Sequence, residues 1–128
     1  MDTNQKKDLL FVEDPKSTFN ANTTLLEELF NRVDRVSYHD EALHLFDTHN
    51  YDMVLYDISM HPEKIKFIKQ IQKKKSMQPI FTLLEESSED LAFGLSQLGV
   101  NVLVINPTQF DEALQSIATF NPQTGDID

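Results

Sequence analysis

The sequences LLFVED at residues 9–14 and MVLYD at residues 53–57 decide the fold predicted for this chain. Each is a short, uninterrupted apolar run that ends in an acidic residue. Continuous apolar runs of this length are typical of parallel strands that are buried on both faces. Longer segments with helical periodicity follow both runs, so the sequence predicts strands that alternate with helices.

Three further strands complete the predicted sheet, at residues 35–38, 80–84 and 102–105. Each of the five strands is followed by an amphipathic segment, and the first of these carries an apolar stripe from Phe19 to Val33. Asp40 is predicted to cap the second helix. Gly99 is predicted to end the fourth helix. The pattern predicts an α/β fold, (βα)5, with a doubly wound five-stranded parallel sheet in the order 2-1-3-4-5.

Capping boxes are predicted for the last two helices, from Ser87 with Asp90 and from Thr108 with Asp111. The length of 128 residues fits one domain and is too short for two. We expect an N-terminal tail at residues 1–7, the domain at residues 8–120, and a tail or a linker to an output domain at residues 121–128.

Charge and composition exclude several functional classes. The formal net charge of −10 opposes direct binding to a nucleic acid backbone. The absence of cysteine excludes disulfides and thiolate chemistry. No apolar run is long enough to span a membrane, and we expect a cytoplasmic protein. Six of the eleven basic residues lie between Lys64 and Lys75 and none follows, which predicts either two solvated helix faces or two surfaces for different partners.

Three carboxylates converge in the predicted fold. Glu13 and Asp14 follow the first strand and Asp57 ends the third, so all three lie where the carboxyl ends of neighbouring strands meet. Carboxylates in one site repel each other, and a divalent cation with a preference for oxygen ligands, such as Mg²⁺, relieves that repulsion. The cluster therefore predicts phosphate chemistry with Mg²⁺, the alternative being three unrelated acids in loops.

LLFVED together with YDMVLYDISM at residues 51–60 resembles the response regulator receiver family over about residues 8–120. The resemblance implies a flavodoxin-like fold. It further implies that Asp57 is the phosphoacceptor, that Glu13 and Asp14 bind Mg²⁺, and that Ser59 offers a backbone carbonyl to the metal.

The resemblance also implies partners. A histidine kinase or a phosphotransfer protein would supply the phosphoryl group, and the face formed by helix 4, strand 5 and helix 5 would contact an output domain or a second copy of the chain. Beyond Asp57 no nucleophile or general base presents itself, so we expect no enzymatic activity of the domain's own.

Three positions depart from the family pattern. Leu84 replaces the Thr or Ser at the end of strand 4, Asn106 replaces the Lys before the proline of strand 5, and Leu103 replaces the aromatic switch residue. Thr82 lies two residues before Leu84, about 6–7 Å deeper along the strand. Pro62 stands one residue later than the family's proline.

These departures leave two interpretations open. In the first, the domain accepts a phosphoryl group on Asp57 but switches poorly, because the groups that couple phosphate to the output face are missing. In the second, it is a pseudo-receiver that binds other proteins independently of phosphorylation.

Overall fold

The computed structural model describes residues 6–13, 23–57, 64–84, 89–121 and 126–127. Within these ranges one parallel sheet comprises Asp8–Val12 (β1), Arg32–Val36 (β2), Met53–Asp57 (β3), Ile80–Leu84 (β4) and Asn101–Val104 (β5). The helices are Thr23–Leu29 (α1), His39–Thr48 (α2), Lys64–Lys74 (α3), Glu89–Ser96 (α4) and Phe110–Ala118 (α5). The strand order β2-β1-β3-β4-β5 confirms the predicted topology.

Two shorter elements complete the described chain. A 3-10 turn at Pro107–Gln109 leads into α5. After α5, Phe120–Asn121 (β6) pairs antiparallel with Asp126–Ile127 (β7), so the segment predicted as a tail or linker pairs with the last residue of the predicted domain, Phe120.

The apolar core lies on both faces of the sheet, as a doubly wound fold requires. Side chains alternate along each strand, so Leu10 and Val12 join one cluster while Leu9 and Phe11 join the other. The first cluster includes residues of α2, α3 and α4: Ala42, Phe46, Phe67, Ile68, Ile71 and Leu95. The second includes residues of α1 and α5: Leu26, Phe110, Leu114 and Ile117.

The prediction for the second strand was wrong by three residues at its start, since β2 runs from Arg32 to Val36. The predicted helix stripe had wrongly included Val33, whereas α1 ends at Leu29. The physical reason is that β2 lies at the sheet edge and mixes three charged residues with two valines, so it lacks the continuous apolar run of β1 and β3. The spacing of Phe30 and Val33 happens to continue a helical stripe.

Two predicted helix caps were also wrong. Asp40 lies inside the first turn of α2, whose N-cap is Tyr38 and has no side-chain cap. The N-cap of α5 is Gln109, again without a side-chain cap. Ser87 lies outside the described residues. Gly99 has φ +79°, a left-handed conformation suited to glycine, but α4 ends at Ser96, three residues before the predicted helix end at Gly99.

Helix α3 has the predicted amphipathic pattern. Ile68 and Ile71 are buried, and the lysines whose exposure is described all lie on the surface: Lys66, Lys69, Lys73, Lys74 and Lys75. None of the helices in the described part of the chain has the length and apolar character needed to cross a membrane.

Candidate functional site

The carboxyl ends of β1 and β3 bring two of the predicted acids side by side. Val12 pairs with Tyr56, so Glu13 and Asp57, one residue further along, occupy neighbouring strand ends about 4.8 Å apart in the hydrogen-bonding direction. The Glu13 amide donates to the Val36 carbonyl at 2.8 Å, which extends the β1–β2 pairing to this residue. The sheet therefore fixes the backbone at both acids.

Asp57 is completely buried at the end of the central strand. Its neighbour Tyr56 is also fully buried, and burial, with a smaller contribution from the charge of Asp57, raises the pKa of the Tyr56 phenol above its ordinary value. A buried carboxylate at the end of a strand is unfavourable unless nearby groups stabilise its charge, so its position indicates a functional group more than a structural one.

Glu13 forms a bidentate ion pair with Arg35 of β2. Nε of Arg35 donates to Oε2 at 2.7 Å and Nη2 donates to Oε1 at 2.8 Å. The hydrogen bond to Glu13, partly offset by burial, raises the pKa of the Arg35 guanidinium. Both carboxylate oxygens of one predicted metal ligand are thus already bound by a cation of the protein.

The remaining predicted ligands, Asp14 and Ser59, lie outside the described residues. In the part of the chain that the structure describes, no three His, Asp or Glu side chains come close enough to hold a metal ion. The donors that are described, the carboxylates of Glu13 and Asp57 at adjacent strand ends, are of the oxygen type that Mg²⁺ prefers. The chemistry of this donor set therefore fits the predicted cation.

The end of β4 presents no hydroxyl to this site. Leu84 is fully buried and packs in the same cluster as Tyr56, while the residue paired with Asp57 is Leu83. Thr82 is buried too, and its hydroxyl donates to the Asn101 carbonyl of β5 at 3.0 Å. The Thr82 hydroxyl is thus bound to the neighbouring strand, one position below Asp57.

Asn106 caps the turn that leads into α5. Its side-chain oxygen accepts a hydrogen bond from the Thr108 hydroxyl, and its backbone carbonyl accepts one from the Gln109 amide at 3.0 Å. Thr108 therefore bonds back to Asn106 and does not cap α5 as predicted. Leu103, the third departure, is partly buried against the cluster beneath α1 and α5.

The sequence profile described as "Response regulator receiver domain" matches residues 9–118. The chain belongs to this family. The match runs from β1 to the end of α5 and covers all five helices. It therefore includes the two strand ends of the candidate site, at Glu13 and Asp57. Comparison with curated protein sequences gave no match.

Solved structures share the receiver fold at low sequence identity. NtrX from Brucella abortus has a TM-score of 0.79 at 17% identity over 94% of this chain, which spans only 28% of the NtrX chain. The chemotaxis response regulator CheY4 of Vibrio cholerae has a TM-score of 0.69 at 22% identity, covering 87% of this chain and 98% of its own. The Mn²⁺-bound form of the response regulator Rcp1 has a TM-score of 0.68 at 17% identity, with 95% and 99% covered.

Sequence reasoning missed two residues around the receiver site. Arg35 was assigned only to a strand, although a basic residue on the strand beside an acidic strand end is a usable signal for an ion pair. His39 was given no role, yet its Nε2 lies 2.8 Å from the Tyr56 hydroxyl and its ring stacks on Phe67. No spacing in the sequence indicates the contacts of His39, because they join three separate elements, α2, β3 and α3.

Proposed function

We propose that this receiver domain accepts a phosphoryl group on Asp57 in a cytoplasmic two-component phosphorelay, from a histidine kinase or a phosphotransfer protein. The observation that carries the proposal is the fully buried Asp57 at the end of β3, beside the strand end that holds Glu13. One Asp57 oxygen attacks the phosphorus of a phosphohistidine. The new P–O bond forms as the P–N bond breaks, and the bonding electrons leave with the imidazole nitrogen.

The proposed Mg²⁺ ligands are Glu13, Asp14, Asp57 and the backbone carbonyl of Ser59. When bound, Mg²⁺ supplies positive charge to the phosphoryl oxygens during transfer. The protein residues hold the acceptor oxygen of Asp57 in place, because strand pairing fixes its backbone on both sides. The domain needs no further catalytic residue, and we propose no enzymatic activity of its own.

Switching is impaired in this proposal because the three coupling groups are absent. Asn106 carries no charge, and the loss of one charge-assisted hydrogen bond weakens acyl phosphate formation roughly ten- to a hundredfold. Leu84 offers no hydroxyl and Leu103 no aromatic ring, so the phosphoryl group makes few contacts that differ between two conformations. A ligand without such differential contacts shifts no equilibrium.

The face formed by α4, β5 and α5 is the proposed contact for an output domain or a second copy of the chain. Phe93 of α4 is 70% exposed and Val104 of β5 is 38% exposed. Exposed apolar side chains of this size on neighbouring elements favour a protein partner. An output domain would lie in the same polypeptide if the chain is part of a longer protein.

Phosphodonor labelling tests the proposal. Incubation with acetyl phosphate and Mg²⁺ should add one phosphoryl group to the wild-type domain, as detected by intact mass. Asp57→Asn should abolish the label, whereas Asp47→Asn, which alters an exposed acid paired with Lys74, should leave it unchanged. A wild-type domain that stays unlabelled, or a label that persists in Asp57→Asn, would contradict the proposal.

The second candidate is a pseudo-receiver that binds other proteins independently of phosphorylation. The ion pair between Glu13 and Arg35 favours it, because a predicted metal ligand is already neutralised. Partner capture with wild-type and Asp57→Asn domains separates the two candidates. Equal capture in the presence and absence of phosphodonor favours the pseudo-receiver, and a dependence on phosphodonor favours the phosphorelay.

A further inference from the structure

In the contact between Arg35 and Glu13, the guanidinium cation already occupies both oxygens of the carboxylate. Two parallel hydrogen bonds, of 2.7 and 2.8 Å, join the guanidinium to both oxygens of the carboxylate. Such paired, charge-assisted bonds are among the stronger polar contacts in proteins and are specific in direction. A guanidinium does not lose its proton in a protein, so the positive charge is permanent.

Both partners are held in position by the sheet. Arg35 pairs with Phe11 of β1, and its guanidinium carbon lies 5.9 Å from the centre of the Phe11 ring. Glu13 is two residues further along β1, and its amide is tied to Val36. The side chains of Arg35 and Glu13 are only 29% and 19% exposed, so water screens their attraction less than at an open surface.

Alternation along the strands places this ion pair on the same side of the sheet as Asp57. Phe11 and Leu55 belong to the cluster beneath α1 and α5, and Glu13 and Asp57 each follow two residues later. The guanidinium therefore reaches Glu13 from β2, next to the strand end that carries Asp57. It offers positive charge at the point where the family places a metal ion.

We propose that Arg35 is an internal cation that competes with the divalent metal ion for Glu13. In the metal-free domain Arg35 neutralises Glu13, and metal loading requires at least one carboxylate oxygen to exchange its guanidinium contact for the metal or its water shell. The inference rests on the proposed metal site and adds a residue that sets its affinity. The coupling is reciprocal, so the metal also weakens the contact between Arg35 and Glu13.

A Mg²⁺ titration followed by backbone amide shifts measures the competition. Arg35→Met removes the charge and keeps an apolar side chain over Phe11. We expect it to lower the dissociation constant for Mg²⁺ by about three- to tenfold, the range for a partly exposed, bidentate ion pair. Arg35→Lys keeps a charge but not the paired geometry, so its dissociation constant for Mg²⁺ should lie between those of the wild type and Arg35→Met. This variant provides the test if Arg35→Met does not fold.

The matched control is Arg32→Met. Arg32 lies on the same strand and is paired with Asp34, so this variant removes the same charge away from Glu13. We expect little change in Mg²⁺ affinity. An equal gain in Arg32→Met and Arg35→Met would show a general effect of net charge and would overturn the competition.

A double-mutant cycle identifies the contested group. In a Glu13→Gln background the carboxylate is gone, and Arg35→Met should no longer improve Mg²⁺ binding. A full gain in that background overturns the inference. Clear Mg²⁺ binding with the same dissociation constant in wild type and Arg35→Met also overturns it, while leaving the proposed function intact. The absence of any Mg²⁺ response in every variant removes the metal site itself, and the inference with it.

Discussion

The hydroxyl of Tyr56 lies 2.8 Å from Nε2 of His39, so the residue before the proposed phosphoacceptor is hydrogen-bonded to the first residue of α2. The His39 ring also stacks on Phe67 of α3, with ring centres 4.4 Å apart and planes inclined by 16°. Through these two contacts His39 joins β3, α2 and α3. This arrangement ties the end of the central strand to the helices on one face of the sheet.

Removal of that hydroxyl should destabilise the domain. Tyr56→Phe leaves the ring in place but removes the hydrogen bond to His39, and we expect the free energy of unfolding to fall by about 1 kcal/mol. Urea denaturation monitored by circular dichroism measures the change. Tyr38→Phe is the matched control, because Tyr38 is 73% exposed and its hydroxyl is accessible to water. Equal losses in both variants would argue against a structural role for the contact.

Stability should also decline at alkaline pH through Tyr56. Its phenol has a pKa raised above the ordinary value of 10.0, chiefly by burial and secondarily by the charge of Asp57. Above about pH 10 the unfolded chain loses this proton while the folded chain keeps it. The folded state then binds more protons, so the free energy of unfolding falls as pH rises. Tyr56→Phe should flatten the decline in denaturation curves, and an unchanged slope would contradict the assignment.

Asp57→Asn should stabilise the metal-free domain. The carboxylate is fully buried at the carboxyl end of the central strand β3, and an uncharged side chain of the same shape avoids most of the cost of burying a charge. We expect a gain of about 1–2 kcal/mol in the free energy of unfolding. Asp47→Asn, which removes an exposed ion pair with Lys74, should change it by less than about 0.5 kcal/mol. A loss of stability in Asp57→Asn would show that the carboxylate serves the fold.

Restoring two family groups should restore switching. In the variant Leu84→Thr with Asn106→Lys, a hydroxyl and a positive charge again become available to a group on Asp57. We expect beryllofluoride to perturb amide shifts throughout α4, β5 and α5 in this variant, and only around Asp57 in the wild type. Leu84→Thr places a hydroxyl in the core and should cost about 1–3 kcal/mol of stability. Widespread wild-type changes would show that coupling survives without these groups.

Repulsion among the lysines on the exposed face of α3 should lower the free energy of unfolding. Lys66, Lys69 and Lys73 follow at three- and four-residue spacing, and no acid of the described chain forms an ion pair with them. Lys69→Glu creates a favourable pair with Lys73 and should stabilise the domain by about 0.3–0.5 kcal/mol. Lys69→Gln, which only relieves repulsion, should give a smaller gain in thermal unfolding. A destabilised Lys69→Glu would mean that the lysine serves the fold.

The sequence predicted the central strands well because burial on both faces leaves a direct pattern. The runs before Glu13 and Asp57 are uninterrupted apolar sequence, and β4, which is buried along its whole length, was predicted at its observed bounds, Ile80–Leu84. The outer strand β5 is only partly buried and was predicted one residue late, at residues 102–105. Edge strand β2 lacks that pattern, since only Val36 is buried in one core cluster and Val33 packs against the other, while its remaining residues are charged. Its start at Arg32 therefore depended on pairing with β1, which sequence periodicity does not encode.

The positions of the acids Glu13 and Asp57 at neighbouring strand ends could be predicted, and their side-chain partners could not. Strand ends identify Glu13 and Asp57 because parallel strands end at one edge of the sheet. The bond from Arg35 to Glu13 depends on the register between β1 and β2, and the contact of His39 with Tyr56 depends on how α2 packs. The bond from the Thr108 hydroxyl to Asn106 was not predicted, because Thr108 was assigned to a capping box of the last helix.

The strand order leaves the two outer strands unequally protected against edge-to-edge aggregation. Pairing of a further strand with β2 would bury the charged side chains of Arg32, Asp34 and Arg35, and this opposes such pairing. Strand β5 has the sequence NVLV, without a charged residue, and its main protection is its short length. The net charge of −10 keeps copies apart near neutral pH. Near the isoelectric point of about 4.7 that repulsion vanishes, and β5 is then the edge from which aggregation should begin.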